Sequence, residues 1–129
     1  MKIQVVKNYS DQSFTLYCNI GKLNHAFLNI LTNAVQAIEE IGIITISTKL
    51  NDQFLEITIN DTGKGISKDA LGKIFDPFYT TKDPGKGTGL GLSITYEIIK
   101  ELNGSIEYYS AEGQGTTAKV LLPISNEAL

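Results

Sequence analysis

Apolar residues recur at helical spacing in two long stretches of this chain and at strand spacing in several short ones. Leu23, Phe27, Ile30, Ala34 and Ile38 fall at intervals of 4, 3, 4 and 4, one stripe of an amphipathic helix from about Lys22 to Glu40 that Gly42 stops. Leu90, Ile94, Ile98 and Leu102, each 4 apart, mark a second long helix, and Asn103-Gly104 ends it as a C-terminal cap. A shorter helical piece is expected over Lys68 to Ile74. Strands are expected at Lys2 to Lys7, at Phe14 to Tyr17 after a turn at Ser10 to Ser13, at Ile43 to Lys49 and at Phe54 to Asn60. The last two would form a hairpin through Asn51-Asp52. Phe54 to Asn60 alternates cleanly, with Leu55, Ile57 and Ile59 on its apolar side. Ser105 to Ser110 and Thr116 to Leu122, joined by the turn Ala111 to Gly115 and closed by Pro123, read as a further hairpin. Helices and strands are mixed without strict alternation. This predicts an α+β fold of two layers, helices on one face of a mixed or mostly antiparallel sheet.

Composition narrows the class. The chain has 129 residues, 42% apolar and 19% charged, which suits one globular domain spanning 1–129 with a sizeable core. No apolar run is long enough to span a membrane, and Met1 to Ser10 lacks the apolar core of a signal peptide. A single cysteine cannot form an internal disulfide, which agrees with a reducing, cytoplasmic setting. The net charge of −3 offers no general attraction to nucleic acid or to a membrane surface. All 11 cationic side chains are lysines, so any phosphate must be met by ammonium groups, backbone N–H groups or a metal rather than a guanidinium fork.

Three clusters carry candidate chemistry. Asn29 and Asn33 are 4 apart and project from one edge of the first helix, where amide oxygens can meet a hard cation or polar ligand atoms. Taken alone, the pair reads rather as two solvated helix residues, since Asn is common on helix surfaces. Asp61-Thr62-Gly63-Lys64-Gly65 follows a strand with an apolar face. A carboxylate there can accept from an exocyclic amine, and Gly65 lets a flat ligand lie on the backbone; taken alone it is a turn ending a strand. Gly85 to Gly91 holds 4 glycines and opens the second long helix, a place where N–H groups close around an anion. It is neither a Walker A sequence nor a dinucleotide fingerprint, because the segment before it (DPFYTTKDPGKG) is a loop. That loop is a candidate lid.

In their order along the chain, NILTNAVQA, NDTGKGI, IFDPFYTTK and GTGLGLSI resemble the N, G1, F and G2 boxes of the GHKL ATP-binding superfamily, and in combination the catalytic, ATP-binding domain of a bacterial sensor histidine kinase. The resemblance runs from about residue 3 to 123 and includes Gly113-Gln-Gly-Thr116, similar to the family's last glycine-threonine element. It implies a sandwich of a mixed sheet under about three helices, with ATP and Mg²⁺ as cofactors. It assigns Asn33 to the metal and Asn29 and Lys82 to the catalytic step. Asp61 would meet the adenine amino group, with Gly63 and Gly65 beside the base and Thr116 supporting it. Lys82 and the loop Gly87, Thr88, Gly89, Leu90 and Gly91 would face the phosphates. Phe75 and Phe78 resemble the hinge of an ATP lid that also touches a neighbouring domain. The implied partners are the phosphoacceptor-histidine dimerisation domain of a parent kinase, which the resemblance allows to be membrane-anchored, and indirectly a response regulator.

The chain departs from the family pattern in two ways. Where many members carry an aromatic residue that stacks on adenine, this chain has Gln36-Ala37-Ile38, like the nitrogen-regulation-type branch, and the stacking partner stays unassigned. The gyrase, heat-shock and mismatch-repair ATPases place a glutamate general base at the position of Asn29. An amide cannot take that proton, so phosphoryl transfer is expected rather than rapid hydrolysis. His25, followed by Ala26-Phe27-Leu28-Asn29, lacks the family's acceptor pattern and is expected to be structural. Cys18 is expected in the core or at its edge, the tyrosines at the surface with Tyr79 in the lid, and Asp76 as a helix cap. Two other readings share some of these boxes: an anti-sigma-factor-like serine kinase or binding module, and a non-catalytic nucleotide sensor.

Overall fold

The order of elements is β1 (Lys2–Asn8), α1 (Ile20–Ala37), β2 (Ile41–Asn51), β3 (Phe54–Asp61), α2 (Lys68–Leu71), α3 (Gly91–Glu101), β4 (Ser105–Ser110) and β5 (Thr116–Pro123). The computed structural model of the chain describes residues 1–16, 18–79 and 91–125. The strands form one sheet in the order β1-β2-β3-β5-β4. Only β1 and β2 run parallel; the other neighbours are antiparallel. The helices pack on the inward face, where Ile44, Leu55, Ile57, Ile59, Ala118, Val120, Leu122 and Ile106 meet Ala26, Ile30, Ala34, Ile98 and Ile99. This is the α+β sandwich that the hydrophobic pattern predicts. Strand alternation accounts for it, because the rows Ile59–Ala118 and Ile57–Val120 are directly opposed and point the same way.

Local chemistry sets the ends of the elements. Asn19 caps α1, its Oδ1 accepting from the Lys22 N–H at 3.1 Å, and Ser67 caps α2 through Ala70 at 3.1 Å. α1 stops at Ala37, short of the expected Gly42, because Ile38 is extended (ψ 121) and turns its side chain into the core. Gly42 instead starts the inward row of β2, where an added Cβ would stand 2.7 Å from Ile38. The hairpin turn is Asp52-Gln53, with Asp52 at φ 55, one residue later than expected. Residues 14–16 form no strand; the Thr15 carbonyl accepts from the Ser125 N–H at 2.6 Å. α2 is a single turn of helix and does not reach Ile74. α3 closes as its sequence predicts, with Asn103 rather than a glycine in the left-handed position (φ 60) and the Gly104 N–H returning to Ile99 O at 3.0 Å. Cys18 is exposed, not in the core, and His25 lies on the solvent side of α1.

Candidate functional site

The inward rows of the sheet change character toward one end. Beyond Ile59–Ala118 the next opposed pair is Asp61–Thr116, and Thr116 is in turn opposite Ser110. An aliphatic floor thus gives way to a polar edge. Over this edge lies a cavity of about 780 Å³, a size that suits a small organic ligand. Its lining among the described residues includes Asn29, Asn33, Ala34 and Ala37 from α1, Ile59 and Asp61 from β3, Gly65 and Ile66, Ala70 and Ile74, Gly91, Tyr108, Thr116 and Ala118.

Asp61 is only 5% exposed. Its Oδ1 accepts from the Gly63 N–H at 2.8 Å. Burial lifts its carboxyl above the ordinary carboxylate range, partly offset by backbone N–H bonds from Gly63 and Thr116. The loop after β3 is shaped by close backbone approaches. Gly65 sits at φ 76, and a Cβ there would lie 2.0 Å from Ala111 O. Gly115, at φ 79, passes so near β3 that its Cβ would lie 2.1 Å from Asp61 O. Lys64 is held on both sides, its N–H donating to Ala37 O at 2.9 Å and its carbonyl accepting from the Gly113 N–H at 2.7 Å. Ser110 Oγ accepts from the Ile66 N–H at 2.7 Å and lies 2.8 Å from Thr116 Oγ1.

The opposite wall is a seam between two helices. Asn29 Nδ2 donates to Gly91 O at 3.1 Å and to Thr95 Oγ1 at 3.2 Å, while Thr95 Oγ1 donates to Gly91 O at 2.8 Å. Gly91 O can only accept, so Nδ2 must be the atom turned toward it, which leaves Oδ1 as the amide's acceptor. Asn33 is one turn further along the same edge of α1 and lines the cavity too. Among the described residues no group of three His, Cys, Asp or Glu side chains is placed to hold a metal. The available donors are amide oxygens, which fit a Mg²⁺ ion that keeps most of its waters or phosphate ligands.

Six of the expected residues therefore line one cavity: Asn29, Asn33, Asp61, Gly65, Gly91 and Thr116. Gly63 does not line it. It sits behind, where its N–H holds Asp61 and a Cβ would lie 2.5 Å from Ala37 O. Lys82, Gly87, Thr88, Gly89 and Leu90, with most of the candidate lid, lie outside the described residues. Tyr79 lines the cavity; of the two phenylalanines expected at a lid hinge, Phe75 packs against the core while Phe78, at φ 67, is 74% exposed. Sequence reasoning missed Ser110 and Tyr108. Both lie on the inward phase of β4 after Ile106, which is the signal that places them. The Phase of that strand sends Tyr108 inward, against the expectation of a surface tyrosine. Phe75 meets the Tyr108 ring edge-on at 5.7 Å and the Tyr96 ring at 5.1 Å, and Lys100 Nζ lies 5.3 Å over Tyr96.

Residues 18–126 match the family described as histidine kinase-, DNA gyrase B-, and HSP90-like ATPase. The chain is similar to sporulation kinase E of Bacillus subtilis (strain 168), 38% identical over 127 residues that cover 98% of this chain and 17% of that protein. It is also 38% identical to sensor histidine kinase ZraS of Escherichia coli (strain K12), over 96% of this chain and 26% of that one. The chain thus spans about a quarter or less of these relatives. Among solved structures it is similar to full-length ShkA in complex with AMPPNP, with a TM-score of 0.84 and 27% identity over 98% of this chain and 27% of that one.

Proposed function

The chain belongs to the family of histidine kinase-, DNA gyrase B- and HSP90-like ATPases, and from that premise we propose that it binds Mg-ATP and passes the γ-phosphoryl group to a histidine on a separate dimerisation and phosphotransfer domain. One observation carries the reading: two amides from α1 and a buried carboxylate with its threonine partner face a single cavity of about 780 Å³ from opposite sides. The resemblance of ZraS and sporulation kinase E supports it, as does the AMPPNP held by ShkA.

The roles follow from chemistry. The Asp61 carboxylate accepts a hydrogen bond from the exocyclic amine of adenine, a donor that guanine lacks at that position, and Thr116 supports it. Gly65 and the aliphatic side chains of Ala34, Ala37 and Ile74 form a slot for a flat base. The triphosphate then runs toward the N-terminus of α3, where the helix dipole favours negative charge by about 0.3–1 kcal/mol per charge. By the resemblance, Lys82 and the loop from Gly87 to Gly91 would supply an ammonium group and N–H groups to the phosphates. Asn33 would hold Mg²⁺ through its amide oxygen, with Asn29 close by, and the ion would neutralise phosphate charge. Neither amide can act as a general base toward water, so the site positions the phosphoryl group for another nucleophile. An imidazole nitrogen of the acceptor attacks the γ-phosphorus, and ADP leaves with the bridging oxygen. His25 is the chain's one histidine and lies on the solvent side of α1, outside the cavity lining, so the acceptor is supplied by the partner domain.

Calorimetric titration with AMPPNP tests the binding half, and binding should tighten when Mg²⁺ is added. Mixing the chain with ATP and an acceptor helical hairpin tests the transfer half. Acid-labile phosphate on the hairpin is the expected product. Acid-stable seryl phosphate would move the reading to the serine-kinase alternative, and no transfer by a chain that binds AMPPNP would move it to the nucleotide sensor.

A further inference from the structure

Tyr108 stands on the inward row of β4 opposite Ala118, where a plain aliphatic side chain would complete the floor. Its hydroxyl is buried and, among the described residues, has no hydrogen-bond partner. Leaving such a group unpaired costs about as much as losing a hydrogen bond, and phenylalanine would fill the same volume without that cost. The hydroxyl lies on the ring axis, so turning the ring does not move it elsewhere, and the edge-on contact with Phe75 at 5.7 Å holds the ring in place. The ring lines the same cavity as Asp61. Burial first, and the Asp61 charge second, hold the phenol well above its usual range, so it remains a neutral O–H donor at every physiological pH.

Resting on the nucleotide-binding reading above, we propose that the Tyr108 hydroxyl completes its hydrogen bonding only when the cavity is filled, by donating to the purine end of the bound nucleotide directly or through one water shared with Asp61. Tyr108 is then a ligand-contacting determinant of affinity that no motif in the sequence marks. It also explains why Phe75 is packed inward while Phe78 is not, since Phe75 props the ring that faces the base.

The test compares the chain with its Tyr108→Phe variant by calorimetry with AMPPNP and with ADP, and by thermal melting without nucleotide. The variant should melt at the same or a higher temperature, because the unpaired hydroxyl is gone. It should bind AMPPNP and ADP more weakly by the same factor, about 5–20-fold, since the contact is at the base and not the phosphates. Equal affinity for both proteins overturns the proposal. So does a variant that melts several degrees lower, which would mean that the hydroxyl has a structural partner. Asp61→Asn separates the two levels: if it loses AMPPNP while Tyr108→Phe keeps it, only this inference falls. If the unmodified chain binds no AMPPNP, the nucleotide reading falls and takes this inference with it.

Discussion

The β3–β5 end of the cavity is enforced by main chain, whereas the α1–α3 end is tied by side chains. At the first, added Cβ atoms at Gly63, Gly65 and Gly115 would stand 2.5, 2.0 and 2.1 Å from carbonyl oxygens, and Lys64 is bonded to neighbours through both its N–H and its carbonyl. At the second, one amide and one hydroxyl converge on a single carbonyl, Gly91 O. Backbone contacts of this kind have little slack, because the atoms involved belong to a strand, to the turn beside it or to the last residue of α1. Side-chain contacts can be lost singly. The first end should therefore fail as a whole and the second by degrees.

Gly65→Ala should break the first end most severely. The substitution combines a left-handed backbone with a main-chain collision, and a loss of about 2–4 kcal/mol of stability is expected, read from the urea midpoint at unchanged slope. Asp61→Ala removes the ligand contact and the bond from the Gly63 N–H to Oδ1, while the main-chain contacts of the frame stay in place. It should weaken AMPPNP binding by about 10–100-fold while the circular dichroism spectrum stays native, as expected for a hydrogen bond to a charged group. A folded Asp61→Ala chain with unchanged affinity would sink the adenine assignment. At the other end, Asn29→Ala deletes both bonds from Nδ2 and should cost about 1–2 kcal/mol in denaturant unfolding, with Thr95→Val costing less. The smallest effect is expected from Lys22→Met. Its 2.9 Å ion pair with Glu101 also joins α1 to α3, but the two side chains are 53% and 57% exposed, and the change should stay below about 0.5 kcal/mol.

Acid titration sharpens the contrast, because the only buried carboxylate is at the β3–β5 end among the described residues. Burial raises Asp61 above its ordinary value of 3.8. Between 3.8 and that higher value the folded chain keeps a proton that the unfolded chain has released, so this group's contribution to stability is full below 3.8 and falls as pH rises through the window. Nucleotide binding should run the opposite way and strengthen with pH, since only the ionised carboxylate accepts from the amine without a proton in the way. Asp61→Asn should flatten both slopes.

Much of this arrangement was legible beforehand for physical reasons. Strand alternation placed Leu55, Ile57 and Ile59 on the core side, and the four-residue interval placed Asn29 and Asn33 on one edge of a helix. The end of α1 was misplaced because Gly42 looks like a stop signal in isolation. The actual stop is Ile38, whose extended backbone lets its side chain enter the core, a tertiary demand that propensity does not contain. Phe14 to Tyr17 has the composition of a strand, but residues 14–16 have no strand partner and Thr15 is tied to the C-terminal segment instead. Tyr108 and Ser110 went unnoticed because a tyrosine-rich strand reads as surface until its register against β5 is known. The residues from Lys82 to Leu90 lie outside the described residues, and their roles rest on the resemblance and the family.

The pairing of β3 with β5 has a consequence for how the chain reaches its native state. Asp61 and Thr116 face each other across adjacent strands, yet all of α2, α3 and β4 lies between them in the chain. That non-local ladder must close before the carboxylate and its threonine become neighbours, and such closures belong to the slow part of folding. The β3–β5 ladder is internal to the sheet, so amide hydrogens at its inner pairs, Ile57–Val120 and Ile59–Ala118, are expected to be among the slowest to exchange. The carboxylate and threonine at this end of the cavity therefore come together only through the same non-local ladder that joins the two halves of the sheet.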